Sequence, residues 1–286
     1  MPAPMGRGVA RALVFGSSAA VLVLEILAGR LLAPYIGVSL ETFTGVIGTI
    51  LAGIAAGAMV GGRMSDRWSP SHLLGPTLIL SGGLTALAIP IIGAIGPSMG
   101  NDPMSIVVLC SVSFLAPTAV LSAVSPMVAK LRLESLESSG KVVGSLSGAG
   151  TAGALVGTFV TGFVLVAALP SRPVVLGVAA LLTITGIGLG IWSRGTPGRT
   201  PDTGLRGSTT SFGLAALALI GASSLTPDYC DVESAYSCIR IVPDPERPSG
   251  RSLYLADLRN SYVDLDDPTY LDFRYFRLAA DIVEAL

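Results

Sequence analysis

Residues 73–101, LLGPTLILSGGLTALAIPIIGAIGPSMGN, contain no charged side chain. A helix crosses a hydrocarbon core with about 20 apolar residues, and this stretch exceeds that. The pattern recurs on both sides of it. Residues 42–62, 103–129, 142–171, 173–193 and 207–227 are free of charge, and residues 12–29 hold only Glu25. A soluble core helix needs a polar outer face, so these windows read as about seven membrane spans. The chain is 13% charged, whereas soluble domains carry about 25%. The first window is not a cleaved leader: it is too long, holds Glu25 and runs into Arg30 with no small-residue cleavage site. No basic stretch suits a nucleic acid. The expected fold is mainly α: a polytopic helix bundle over residues 1–227, then a small β-rich soluble segment over residues 228–286.

Lys and Arg accumulate in cytoplasmic loops. Arg7 and Arg11 precede the first span; Arg63 and Arg67 follow the second; Lys130, Arg132 and Lys141 follow the fourth; Arg194, Arg199 and Arg206 follow the sixth. Only Arg30 and Arg172 fall in the alternate loops. This bias places the N-terminus in the cytoplasm of a multi-pass protein and, after seven crossings, the tail outside. The seventh apolar stretch, residues 211–225, is short, and reaches spanning length only when residues 207–227 are counted whole. If it does not cross, the tail is cytoplasmic.

Glycines stand four apart at Gly53, Gly57 and Gly61, at Gly144 and Gly148, and at Gly153 and Gly157. Such spacing lets helix backbones approach closely in lipid. Close packing is the simpler reading; a pair of three-helix repeats, each with its ladder on the middle helix, is the sharper one. Glu25 is the one acidic residue well inside a span, and an intramembrane carboxylate is a functional candidate by default. Arg30 lies about 140° around the helix from it and is placed to snorkel to headgroups. Pro90, Pro117 and Pro126 are expected to kink or end their spans. Gly62-Arg63-Met64-Ser65-Asp66-Arg67 resembles the G-x-x-x-D-R loop of major facilitator transporters, which implies that Asp66 and Arg67 brace helix ends on the cytoplasmic side; a plain charged turn is the alternative. His72 sits in a loop, and Cys110 reads as a small apolar residue of the fourth span.

In the tail, residues 233–242 read as a strand, 243–250 as a turn-rich hairpin loop and 251–255 as the returning strand. Residues 261–267 are acidic and turn-like. Residues 270–286 have apolar positions at helical spacing, with Leu271, Tyr275, Leu278 and Ile282 on one face.

Several of these segments resemble the spermidine synthase family. Glu233-Ser234-Ala235-Tyr236 looks like that family's E-[ST]-x-Y strand. Leu255-Ala256-Asp257 with Asn260-Ser261-Tyr262 is similar to its L-D-G-x-x-Q segment, and Asp266-Asp267 through Tyr270 and Asp272 to its D-E-x-x-Y-x-E continuation. The opening from Glu25 to Gly37 resembles that of bacterial membrane proteins in which a transporter-like bundle is fused to a spermidine-synthase-like domain. The resemblance implies a small β domain ahead of a Rossmann-like domain. It also implies decarboxylated S-adenosylmethionine as co-substrate, a small amine as acceptor, and substrate contacts from Asn260, Ser261, Tyr262, Tyr270 and Asp272. The family's glutamine falls near the shorter Ser261, and the tail holds no glycine except Gly250, whereas nucleotide-type cofactors need a glycine-rich turn. The nucleotide-binding and catalytic parts are thus expected to come from a further C-terminal domain or a partner chain, and this chain alone is not expected to catalyse aminopropyl transfer.

Cys230 and Cys238 flank the start of the tail. An extracytoplasmic location permits a disulfide, and a Cys230–Cys238 bridge is expected, although eight residues of strand need a turn to bring them together; two free thiols are the alternative. A metal site is not expected, since no histidine and no C-x-x-C lies nearby. Three functions remain: a membrane-embedded polyamine-synthase-like protein, a transporter or binding protein for a small amine or related solute, and a non-catalytic membrane scaffold.

Overall fold

The computed structural model describes residues 5–133, 139–194 and 205–285. The described part of the bundle comprises α1 (Arg7–Ile36), α2 (Leu40–Arg67), α3 (Pro70–Ile95), α4 (Pro103–Arg132), α5 (Ser139–Ala168), α6 (Ser171–Arg194) and α7 (Leu205–Ser224). Six of them, α1 to α6, are long and apolar enough to cross a membrane; the apolar part of α7, Ser211–Ser224, is shorter. Leu155, Phe159 and Phe163 on α5 and Leu181 and Ile184 on α6 are exposed. Lipid accommodates such an apolar outer surface and water does not. The helix starts follow local chemistry. The Ser39 side chain accepts from the Thr42 N–H at 3.2 Å, the Asp102 carboxylate from the Ser105 N–H at 3.0 Å, and Pro70 and Pro103 open their helices. Gly37, at φ 73°, ends α1 and leaves a link of only three residues to α2.

The prolines do not end their spans. The helix α3 continues through Pro90 to Ile95. In α4 a π-turn, Ser111–Leu115, directly precedes Pro117. That proline has no N–H for the carbonyl of Ser113, and a widened turn absorbs its ring.

Glycines set which helices pair. A Cβ on Gly57 would lie 2.0 Å from the Ala119 carbonyl oxygen, and one on Gly61 would lie 2.7 Å from Ala123 Cα, so α2 packs backbone to backbone on α4. A Cβ on Gly153 would lie 2.1 Å from the Phe15 carbonyl oxygen, and one on Gly157 would lie 2.6 Å from that of Ala19, which joins α5 to α1. In both pairs residue numbers rise together, so the helices are parallel. Gly144 and Gly148 face open space and form no ladder; Gly150, beside Ser18, takes that place. Gly75 and Gly82 meet Gly186 and Ala179, which makes α3 and α6 antiparallel neighbours, and α7 lies against both. Exchanging α1, α2 and α3 for α4, α5 and α6 leaves this pairing pattern unchanged and inverts the chain direction. The middle helix of each triplet packs its glycines on the first helix of the other.

The tail carries β1 (Val232–Glu233), β2 (Cys238–Pro243), β3 (Gly250–Leu255), β4 (Leu258–Asp264) and α8 (Arg274–Glu284). The strands form one antiparallel sheet in the order β1-β2-β3-β4. Two expectations are corrected. Residues 233–242 are not one strand: Ser234 folds them into a turn, its hydroxyl accepting from the N–H groups of Tyr236 and Ser237 at 3.2 and 3.0 Å. Residues 261–264 are not a turn but the end of β4, reached through the two-residue link Ala256-Asp257, in which Ala256 has φ 56°.

Candidate functional site

The tail docks on one end of the bundle, the end opposite Arg7, Arg63 and Arg67. The anchor is Glu233. Its carboxylate pairs with Arg30 at 3.0 Å and accepts from the Ser171 N–H at 2.9 Å and from the Ser171 hydroxyl. It therefore caps the N-terminus of α6 from outside, where the helix dipole favours negative charge. The Arg30 guanidinium also donates to the carbonyls of Ser234 at 2.6 Å, Ala235 at 3.2 Å and Val166 at 3.3 Å. Arg30 thus does not snorkel to headgroups; only 17% of its side chain is exposed, and it is spent on the tail. Arg172 pairs with Asp228 and donates to the Thr226 carbonyl at 2.8 Å. The two arginines that break the charge bias of the loops both hold tail carboxylates. Beside them the rings of Tyr35 and Tyr229 lie 4.3 Å apart, and the Arg240 guanidinium stacks 4.2 Å over Tyr229.

A disulfide joins Cys230 to Cys238 across the β1–β2 turn, with their Cα atoms 5.4 Å apart. The turn at residues 234–237 supplies the approach that an uninterrupted strand could not.

A cleft of about 260 Å³ opens at the same end, lined by Gly37, Ser39, Glu41, Asn101, Asp257 and Leu258 among others. The Asp257 carboxylate accepts from the Asn101 side-chain amide at 3.1 Å and lies against Gly37, where a Cβ would come within 2.7 Å of it.

Of the residues nominated for substrate contacts, three meet on one face of the sheet. The rings of Tyr262 and Tyr270 are 5.8 Å apart, Arg259 pairs with Asp272 at 2.7 Å, and Arg247 stacks 3.7 Å over Tyr270. The Tyr262 hydroxyl donates to Asp244 at 3.0 Å; burial, and then this partner, push its pKa up to about 12. Asp264, the buried last residue of β4, lies beside Arg247 at the end of the face. The Ser249 side chain, the Asp266 N–H and Arg247 hold its carboxyl down at about 2. Arg247, Arg259 and Asp264 carried no motif; the register of β4 on β3 places Arg259 and Asp264 here, and Arg247 reaches the face from the β2–β3 loop. Asn260 and Ser261 do not join the group. Asn260 is the extra residue of a bulge, since Leu253 opposes Ser261 while Tyr254 opposes Arg259. Ser261 points to the opposite face.

Glu25 is half-buried in α1 and has no hydrogen-bond or ion-pair partner among the described residues. At the far end of the bundle Asp66 pairs with Lys130, tying the end of α2 to that of α4, while Arg67 lies in the last turn of α2. Arg132 donates to the Met5 carbonyl at 3.0 Å. Arg199 lies outside the described residues.

No family model, curated protein or solved structure matches the chain.

Proposed function

We propose that this is a membrane-embedded protein of the spermidine-synthase-like kind, whose tail supplies the β portion of an aminopropyltransferase-like unit outside the cytoplasm. The observation that carries the reading is the gathering of Tyr262, Tyr270 and Asp272, from two separate segments of resemblance, around Arg259 and Arg247 on one sheet face. The docking of the tail opposite the basic loops supports the external placement. The co-substrate is decarboxylated S-adenosylmethionine and the acceptor a small amine. Deprotonation of the attacking amine and its orientation supply the rate, from groups beyond those described above. Calorimetry of the complete protein in nanodiscs with decarboxylated S-adenosylmethionine tests this. Saturable binding, weakened in Tyr270→Ala, supports it; absence of both binding and aminopropyl transfer to putrescine refutes it.

A second reading, a transporter for a small amine, is favoured by one feature. Glu25 is a carboxylate with no polar partner among the described residues, in a bundle whose two helix triplets pair in an inverted, exchanged fashion, as transporter repeats do. Uptake of labelled putrescine into proteoliposomes that vanishes in Glu25→Gln supports it, and absence of any flux refutes it.

A further inference from the structure

We infer that the Cys230–Cys238 disulfide holds a docking loop, and that its reduction releases the bridge this loop makes between α1 and α6 while leaving the rest of the sheet folded. The ring closed by the disulfide spans residues 230–238. It contains every tail group that meets Arg30 or Ser171: the Glu233 carboxylate and the carbonyls of Ser234 and Ala235. On the bundle side its partners come from two helices, Arg30 in α1 and Ser171 in α6, and Arg30 itself reaches on to the Val166 carbonyl of α5. One short loop therefore ties the end of α1 to the start of α6.

Besides the disulfide, a short set of bonds shapes that loop: the Ser234 turn, and Asp231, whose N–H donates to the Ile239 carbonyl at 3.0 Å and whose carboxylate accepts from the Ile241 N–H at 2.7 Å. Its strand, β1, has two residues and two ladder pairs, Val232 with Ile239 and Glu233 with Cys238. The longer ladders of β2 with β3 and β3 with β4 lie outside the ring. Cys238 is buried at the start of β2, whereas Cys230 is partly exposed. A thiolate of a dithiol reductant attacks Cys230 Sγ and displaces Cys238 as a thiolate. The second thiol of the reductant then displaces Cys230. The protein gains two electrons and two protons as two thiols, and the reductant leaves as a cyclic disulfide. The loop that carries the Glu233 carboxylate over the N-terminus of α6 is then shaped by two ladder pairs, the Asp231 bonds to β2 and the Ser234 turn. This link between redox state and helix-end closure is independent of which solute or substrate the protein handles.

Hydrogen exchange on the full chain in nanodiscs, before and after dithiothreitol treatment, tests it, with thiol counting to confirm that the disulfide has opened. The expected result is faster exchange at the Ser171 amide by about tenfold or more, the factor that a charge-assisted hydrogen bond is worth. The amides of Val242 and Leu253, which pair with Ser252 and Ser261 outside the ring, keep their protection. Glu233→Ala, with the disulfide intact, speeds the same Ser171 amide. An unchanged Ser171 amide after complete reduction, or in Glu233→Ala, overturns the inference. So does loss of protection at Val242 and Leu253 upon reduction, because the bond would then support the whole sheet and not the docking loop.

Discussion

At Gly57 one missing methyl group decides a helix pair. Any Cβ there meets the Ala119 backbone, which has no flexible end to move aside. Gly57→Val is expected to lower bundle stability by about 1–3 kcal/mol, the range for overpacking, read as a lower unfolding midpoint in detergent. Gly62→Ala, inside the same helix where nothing lies within 4 Å, does not lower it. Ala256 shows the opposite case. Its φ of 56° is one an L side chain tolerates poorly, so Ala256→Gly should stabilise the tail by about 1 kcal/mol. Asp264 gives a pH dependence. Its folded pKa of about 2 lies below the unfolded value, which is about 3.9. The stability it lends is therefore full above the unfolded value and lost as pH falls through about 2. Acid unfolding of the tail followed by near-ultraviolet circular dichroism should lose that component in Asp264→Asn.

The element least settled by the protein's own packing is α8. Tyr275, Phe276, Leu278, Ile282 and Val283 form an apolar face and all are exposed, while Arg274, Arg277, Asp281 and Glu284 hold the other side. Leu278→Lys with Ile282→Lys should change the unfolding midpoint of the chain little, by under about 0.5 kcal/mol per site as for surface positions, yet reduce self-association in light scattering. The helix itself was legible from the spacing of Leu278 and Ile282, although it begins at Arg274, four residues later than Tyr270. The β1–β2 turn was not legible. Glu233 to Val242 is rich in β-forming residues, and only the hydroxyl of Ser234 and the pull of Arg30 and Ser171 on Glu233 break the strand. The Glu-Ser-Ala-Tyr motif likewise divides its labour in three dimensions: Glu233 holds the bundle, Ser234 makes the turn, and Tyr236 stands 98% exposed.

For the whole molecule, the tail and the basic loops lie at opposite ends of the bundle, because α7 runs antiparallel to α6: Arg172 meets the Ser223 carbonyl, and Gly213 meets Ile187. In sealed cells a membrane-impermeant maleimide should label Pro268→Cys and spare Arg67→Cys; Cys110 is buried and contributes little background. Labelling of Arg67→Cys alone would reverse the orientation. The sequence by itself determined that the chain is a bundle of apolar helices with a small soluble end, because the free energy of burying charge in hydrocarbon depends on composition and run length alone. It also marked Arg30 and Arg172 as exceptions to the loop bias. Only the tertiary structure decided what those two arginines do, which glycines carry close contacts, and that Asn260 and Ser261 part from Tyr262. Each of these depends on the partner opposite a residue in space, and a pairing between positions some two hundred residues apart, as between Arg30 and Glu233, leaves no local trace in spacing or periodicity.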